Sequence, residues 1–235
     1  MVVRHVLSGQ GQIADPAGPA SATAYVGTFG PSGSGAFVTT PNSASLSLGT
    51  TSNLTVEWWM YSTAYSYSGW EGCPVCFNAS GNVVLRVDTT WNTCIGSIPF
   101  TTRAVPPLNV WTHFAVSRSG GTGYVHINGV QYLSAANATD FNLSGSRIGN
   151  YNNNTGQEWP GYIAQFRISN IARYGLGSTF TPRILLTSDV NTTFLTLNSS
   201  SFVDTGPLNL GALSVTAGTN TPTMTSTTIN RTVVG

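Results

Sequence analysis

The 235-residue chain carries nine basic residues and eight carboxylates, so only 7% of it is charged and the net charge is +1. That balance excludes a basic nucleic-acid surface, and the absence of any run of about 18 apolar residues excludes a membrane-spanning helix. A chain of this length hides roughly 70% of its unfolded surface, enough for a core without disulfide or metal staples. All the basic residues are Arg, and Ser, Thr, Asn and Gly take the place of charge. A weakly charged surface of this kind associates readily with itself, so a homo-oligomer, with a trimer as the natural form, is expected.

In chain order, the opening "MVVRHVLSGQGQIADPAG" has no apolar core of a secretory leader. Residues 1–24 are rich in Gly, Pro and Ala and offer little to bury alone; they are expected to form an arm that orders on a partner. "NLTVEWWMY" (53–61) alternates, with Leu54, Val56, Trp58 and Met60 on one face and Thr55, Glu57, Trp59 and Tyr61 on the other. "NVVLRVD" (82–88) follows a turn at Gly81. "WTHFAVSRSGGTGYVHINGVQYL" (111–133) reads as three strands joined by "GGTG" and by Asn128-Gly129, the strongest short hairpin signal. "WPGYIAQFRISNIARY" (159–174) alternates from Tyr162 to Ile168 and stops at Ser169-Asn170. No stretch keeps a helical period over ten residues. Short strands with turn signals at regular spacing predict an all-β, two-sheet antiparallel sandwich or jelly roll.

Four of these pieces in this order, "GAFVTTPNSASLSLGTTSNLTVEWWMY", "WTHFAVSRSGGTGYVHINGV", and "GYIAQFRISN" leading into "IARYGLGSTFTPR", resemble the laminin-G/concanavalin-A-like jelly-roll family, in particular the modules of bacteriophage virion proteins. The resemblance covers residues 25–183. It implies that Phe166 and Ile168 face the core and that Arg173-Tyr174 lock the exit loop. In such modules a Leu-rich strand, an acidic residue near a Gly turn and a further strand come first. Here that pattern stands in "TTFLTLNSSSFVDTGPLNLGALSVTAGT" (192–219). Residues 184–235 are therefore expected to complete the sandwich in permuted order, or to be exchanged with a neighbouring subunit.

Glycoside hydrolysis needs two carboxyl groups flanking one bond. Asp15, Glu57, Glu71, Asp88, Asp140, Glu158, Asp189 and Asp204 never stand two or four residues apart, so no enzyme is expected. Cys73-Pro74-Val75-Cys76 lacks the second pair of a zinc knuckle, and Cys94 is the remaining thiol; a Cys76–Cys94 bridge is an option only outside the cell. His5, His113 and His126 stand in separate segments, and His113 and His126 read as strand-face residues, not ligands. "GPSGSG" (30–35) has no Lys and no following helix, so it is no phosphate loop. Calcium is weighed because laminin-G-like domains often hold it, but carboxylates are scarce in the loops; no cofactor is expected.

The best ligand candidates are loops that set aromatics beside amides and carboxylates. Aromatic faces stack on sugar rings, and planar polar groups bond their hydroxyls. Tyr151, Asn152, Asn153, Asn154, Glu158 and Trp159 form the first candidate; Trp70 and Glu71, with Tyr67, form the second. The expected function is a non-enzymatic bacteriophage virion protein (fibre, spike or capsid decoration subunit) assembled in the host cytoplasm. Its partners are itself, other virion proteins and a host surface glycan. A free carbohydrate-binding module or lectin is the alternative, and a glycan hydrolase the third.

Overall fold

A computed structural model describes residues 18–31, 33–64, 107–150, 158–175 and 177–231, together with the backbone of 75–76, 83–85, 93–95 and 98–100. Its strands are β1 (Ser21–Thr28), β2 (Phe37–Thr39), β3 (Leu54–Ser62), β4 (Val75–Cys76), β5 (Val83–Leu85), β6 (Thr93–Ile95), β7 (Ile98–Phe100), β8 (Thr112–Ser119), β9 (Thr122–Ile127), β10 (Val130–Ala136), β11 (Arg147–Ile148), β12 (Gly161–Ser169), β13 (Thr192–Thr196), β14 (Ser214–Thr216) and β15 (Thr223–Asn230). Among the described residues, the only helical element is one 3-10 turn, Ala44–Leu46, capped by the Ser43 hydroxyl, which accepts from Ser45 N. No described helix is long and apolar enough to cross a membrane.

Every pairing is antiparallel. The large sheet runs β10-β9-β8-β3-β12-β1-β15, with β13 on the same edge of β12 as β1; the smaller runs β14-β2-β11-β4-β5, and β6-β7 form a separate ribbon. Two sheets packed face to face around one core make the predicted jelly-roll sandwich. The β9–β10 hairpin turns at Asn128 (φ 50°) and Gly129 (φ 82°), the paired positive φ values of a type I′ turn. A side chain at Gly129 would also strike the Phe180 carbonyl, 1.8 Å from an added Cβ.

The alternation of β3 is realised, with both faces buried. Leu54, Val56, Trp58 and Met60 join Phe114, Val116, Val125, Ile163, Phe166 and Ile168 in the core between the sheets. Trp59 joins Ala24, Val26, Trp111, Ala164, Ile184 and Ile229 in a second apolar layer on the outer face of the large sheet. Part of that outer face is covered by a strap, residues 171–175 and 177–189, which holds no named strand.

Strand β12 departs from simple alternation. An unbroken period of two would put Ala164 on the same face as Phe166. Instead Ala164 pairs with Trp59 and Arg167 with Glu57, so Gln165 and Phe166 together oppose Trp58 alone. That is a β-bulge, with Gln165 at φ 55°. The bulge lets Ile163 and Phe166 both point inward while Ala164 and Arg167 point outward. It also marks where the neighbour of β12 changes from β1 to β13, because Gln165 N donates to Leu197 O at 2.9 Å.

At the amino end, residues 21–24 belong to β1 and pair with β15 along its whole length, so the boundary of the expected arm at residue 24 falls inside a strand; residues 1–17 lie outside the described part. At the other end, β13 lies against β12, β14 against β2 and β15 against β1, all within one chain. The acidic residue near the Gly turn is Asp204, which accepts hydrogen bonds from Leu195 N (3.0 Å), Gly206 N (2.8 Å) and Leu210 N (2.7 Å).

Candidate functional site

Two residues of the expected sugar site are interior. Trp159 is 2% exposed and packs in the core between the sheets, and Glu158 is fully buried. The reason lies at the base of their loop. Glu158 forms a β-bridge with Asn150, and Trp159 N donates to Gly149 O at 2.8 Å, so the chain is already rejoining the sandwich. The Glu158 carboxylate accepts from Gly33 N (2.7 Å), Gly35 N (2.5 Å) and Asn150 Nδ2 (3.3 Å). The "GPSGSG" loop thus does bind an anion through backbone N–H groups, but the anion is the protein's own carboxylate. Neither residue presents a free surface to a ligand. Tyr151, Asn152, Asn153, Asn154, Tyr67, Trp70 and Glu71 lie outside the described residues, as does Cys73. Of Cys76 and Cys94 only the backbone is described.

The remaining chemistry-bearing residues cluster under the strap. Glu57 Oε1 accepts from Arg167 Nε (2.9 Å) and Nη2 (2.7 Å), and Oε2 accepts from Tyr174 OH (3.0 Å). His113 Nε2 lies 3.2 Å from Oε2. An ionised carboxylate only accepts, so His113 donates through Nε2. Burial alone would raise the Glu57 pKa, but Arg167 and His113 outweigh it and hold it at about 2. Arg167 Nη1 donates to Thr187 O (2.7 Å), Arg173 reaches Ser169 Oγ and Asp189 Oδ1 (both 2.7 Å), and Trp59 Nε1 donates to Arg183 O (2.8 Å). Tyr174 and Phe180 stack at 3.6 Å, and the His126 ring bonds Ser178 Oγ at 2.9 Å. Burial, with His113 nearby, pulls the His126 pKa down to about 4. The bonds of Tyr174 to Glu57, Thr187 to Arg167, Arg173 to Ser169, Arg183 to Trp59 and Ser178 to His126 fasten the strap to the sheet. Glu57, His113 and Arg167 are fully buried, so the cluster has no room for a substrate.

Where the strap ends, no described residue covers the outer face. A groove of about 740 Å³ lies there. Its floor is Tyr61 and Tyr162, with the mostly buried Trp111 (6% exposed) packed beside them and lining the groove by its edge. Tyr61 and Tyr162 are direct cross-strand partners, and Trp111 heads the strand beyond. Their ring centroids are 5.4 Å (Tyr61–Trp111), 5.7 Å (Tyr61–Tyr162) and 6.4 Å (Trp111–Tyr162) apart. One wall is β15. Its register sets Thr225 opposite Val26 and Thr227 opposite Ala24, which puts both threonines on the face that carries the groove. Asn109, Asn230 and Arg231 complete the rim, and no carboxylate among the described residues lines it. Rings beside hydroxyls and amides are what sugar binding requires. Sequence reading missed this groove because its parts stand more than 160 positions apart. The Thr/Ser-rich "TMTSTTIN" and the tryptophan heading β8 were its only local signals.

Among the described residues, no cluster of His, Cys, Asp or Glu is arranged to hold a metal ion. The described carboxylates have structural work. Glu57 pairs with Arg167, Glu158 caps the 30–35 loop, Asp189 pairs with Arg173, and Asp204 holds backbone N–H groups. Asp140 is exposed, and its charge acts on Arg118.

Comparison with solved structures finds a candidate carbohydrate binding protein from Bacteroides ovatus at a TM-score of 0.58 and 13% identity, over 88% of this chain and 60% of that one. This chain therefore spans less than two thirds of that relative. The heptameric SAP-like pentraxin of Limulus polyphemus follows at a TM-score of 0.42 and 14% identity (83% and 95% covered). The enzymatically active domain of tailspike protein 2 of bacteriophage CBA120 stands at 0.38 and 11% (72% and 33% covered). No curated protein matches the chain by sequence. Residues 32–175, more than half of the chain, match the laminin-G profile of the concanavalin A-like lectin/glucanases superfamily, and the chain belongs to that family.

Proposed function

We propose that this chain is a non-catalytic glycan-adhesion subunit of a bacteriophage virion, a fibre, spike or capsid decoration protein, that binds sugar in the outer-face groove. The observation that carries the reading is the groove itself: three mutually packed aromatic rings facing a wall of hydroxyls, with no carboxylate among the described residues lining it. A hydrolase would need two carboxyl groups about 5 Å or about 6.5–9.5 Å apart at the sugar. The virion assignment is supported by the ordered likeness of residues 25–183 to virion modules and by the low surface charge, which suits self-assembly. One shallow groove binds weakly, so useful adhesion comes from several copies on one particle. On this reading residues 1–17 dock on another virion protein, and Tyr151 to Asn154 and Trp70-Glu71 are secondary contacts at most.

The test is a glycan array read with the purified assembly, beside light scattering for subunit number. Wild type is expected to bind a set of glycans as an oligomer, and Trp111→Ala and Tyr162→Ala to lose at least about tenfold through the missing stacking surface. Release of reducing sugar from any bound glycan would overturn the non-catalytic reading. Binding unchanged in both variants would remove the groove from the site.

A further inference from the structure

We infer that the groove selects acidic glycans, sugars bearing a carboxylate or sulfate, and that Arg231 is the residue that selects them. The inference rests on the reading of the groove as a glycan site. Among the described residues, Arg231 is the one charged side chain lining it. Its Nη1 donates to Gly18 O (3.3 Å) and Pro182 O (3.1 Å), both neutral main-chain carbonyls. The guanidinium is thereby anchored to the strap, and no described carboxylate neutralises it. Nε and Nη2 have no acceptor among the described residues. These two groups form the planar fork that matches a carboxylate or sulfate edge with two parallel bonds.

The surroundings make this one cation decisive. The chain has a net charge of +1, so it sets up no long-range field that would draw every anion. The rest of the groove is uncharged: the rings hold the apolar face of a sugar, and Thr225, Thr227 and Asn230 offer neutral partners for its hydroxyls. These groups bind a neutral sugar and its acidic counterpart alike. Discrimination therefore falls to the single contact with Arg231, and a charge-assisted bidentate pair carries about tenfold in affinity.

The test uses the full-length assembly in titration calorimetry and array format, with matched probes: lactose, 3′-sialyllactose and 3′-sulfolactose, and neutral β-galactan oligosaccharides beside oligogalacturonates. Acidic probes are expected to bind about tenfold tighter than their neutral partners. The preference should vanish in Arg231→Gln and weaken in Arg231→Lys, which keeps the charge but loses the fork. Preference confined to the carboxylate or to the sulfate names the anion. Should Arg231→Gln not fold, a salt series on wild type decides: raising NaCl from 50 to 500 mM should weaken the acidic probes and leave the neutral ones unchanged. Neutral and acidic probes bound equally, both dependent on Trp111, would overturn the selectivity and leave the glycan site standing. No binding of any probe would overturn both.

Discussion

Replacing Glu57 with Gln keeps the shape of the side chain and removes its charge. Glu57 is fully buried and takes two bonds from Arg167, one from Tyr174 and one from His113. A folded-state pKa of about 2 against an ordinary 4.5, at about 1.4 kcal/mol per pKa unit, corresponds to about 3 kcal/mol of stability at neutral pH. Breaking a buried ion pair by removing one partner costs about 3–5 kcal/mol, because the other charge stays buried. The two routes agree, so Glu57→Gln is expected to lose about 3 kcal/mol and, for a chain of this size, to melt about 6–12 °C lower at pH 7. The pH dependence separates charge from packing. A depressed carboxyl pKa gives stability that is complete above 4.5 and is lost as pH falls through about 2, so the gap between wild type and variant should close over that window. His126 adds a separate decline below 6.5 that both proteins share, since its folded form stays neutral down to about 4. Urea unfolding followed by tryptophan fluorescence at pH 7, 4 and 2.5 measures all of this. A gap under about 1 kcal/mol at pH 7, or one that does not narrow in acid, would refute the electrostatic account.

Trp159→Ala is expected to cost about 3–5 kcal/mol by opening the core, and to leave glycan affinity per folded molecule unchanged in calorimetry, the opposite of Trp111→Ala. Gly129→Ala should lower stability by more than about 1 kcal/mol in thermal melts, since φ is +82° and the added methyl meets the Phe180 carbonyl. Asp204→Ala removes the acceptor of three backbone N–H groups and should cost about 2–4 kcal/mol, with faster amide exchange at Leu195 and Leu210. Deleting residues 2–17 is expected to leave the melting temperature unchanged and to impair assembly, whereas deletion through Thr28 removes β1 and should abolish folding.

The class of fold was legible because strand alternation and turn chemistry are local. Leu54, Val56, Trp58 and Met60 face the core as the period of two requires, and Asn128-Gly129 makes the turn its residues demand. What escaped depends on contacts between distant segments. Nothing near Gln165 announces a bulge; its positive φ is imposed by the change of neighbour from β1 to β13. Alternation puts Glu57 on the face opposite the core residues, where the strap buries it, and a strap without period leaves no pattern to read. Trp159 was misplaced because an Asn-rich loop with an aromatic at its end looks the same whether that ring caps the loop or plugs the core. The groove needed the register of β3, β12 and β15 together, which no single stretch of sequence carries.

The pairing of β1 with β15 also fixes how the domain bears load. Ser21 stands opposite Asn230, and Arg231 N donates to Ala20 O at 2.9 Å, so chain that continues at either end departs from one corner of the sheet. Tension between the two flanks opens that ladder like a zipper, one hydrogen-bonded pair at a time, instead of shearing eight residues at once. β15 is also a wall of the groove, and Arg231 hangs from its end. Force on the carboxyl flank therefore dismantles the binding surface before it reaches the core. On the proposed adhesion reading, a particle held through the amino flank alone would keep its grip under pull, while one strung through both ends would let go early and could close again when the tension falls.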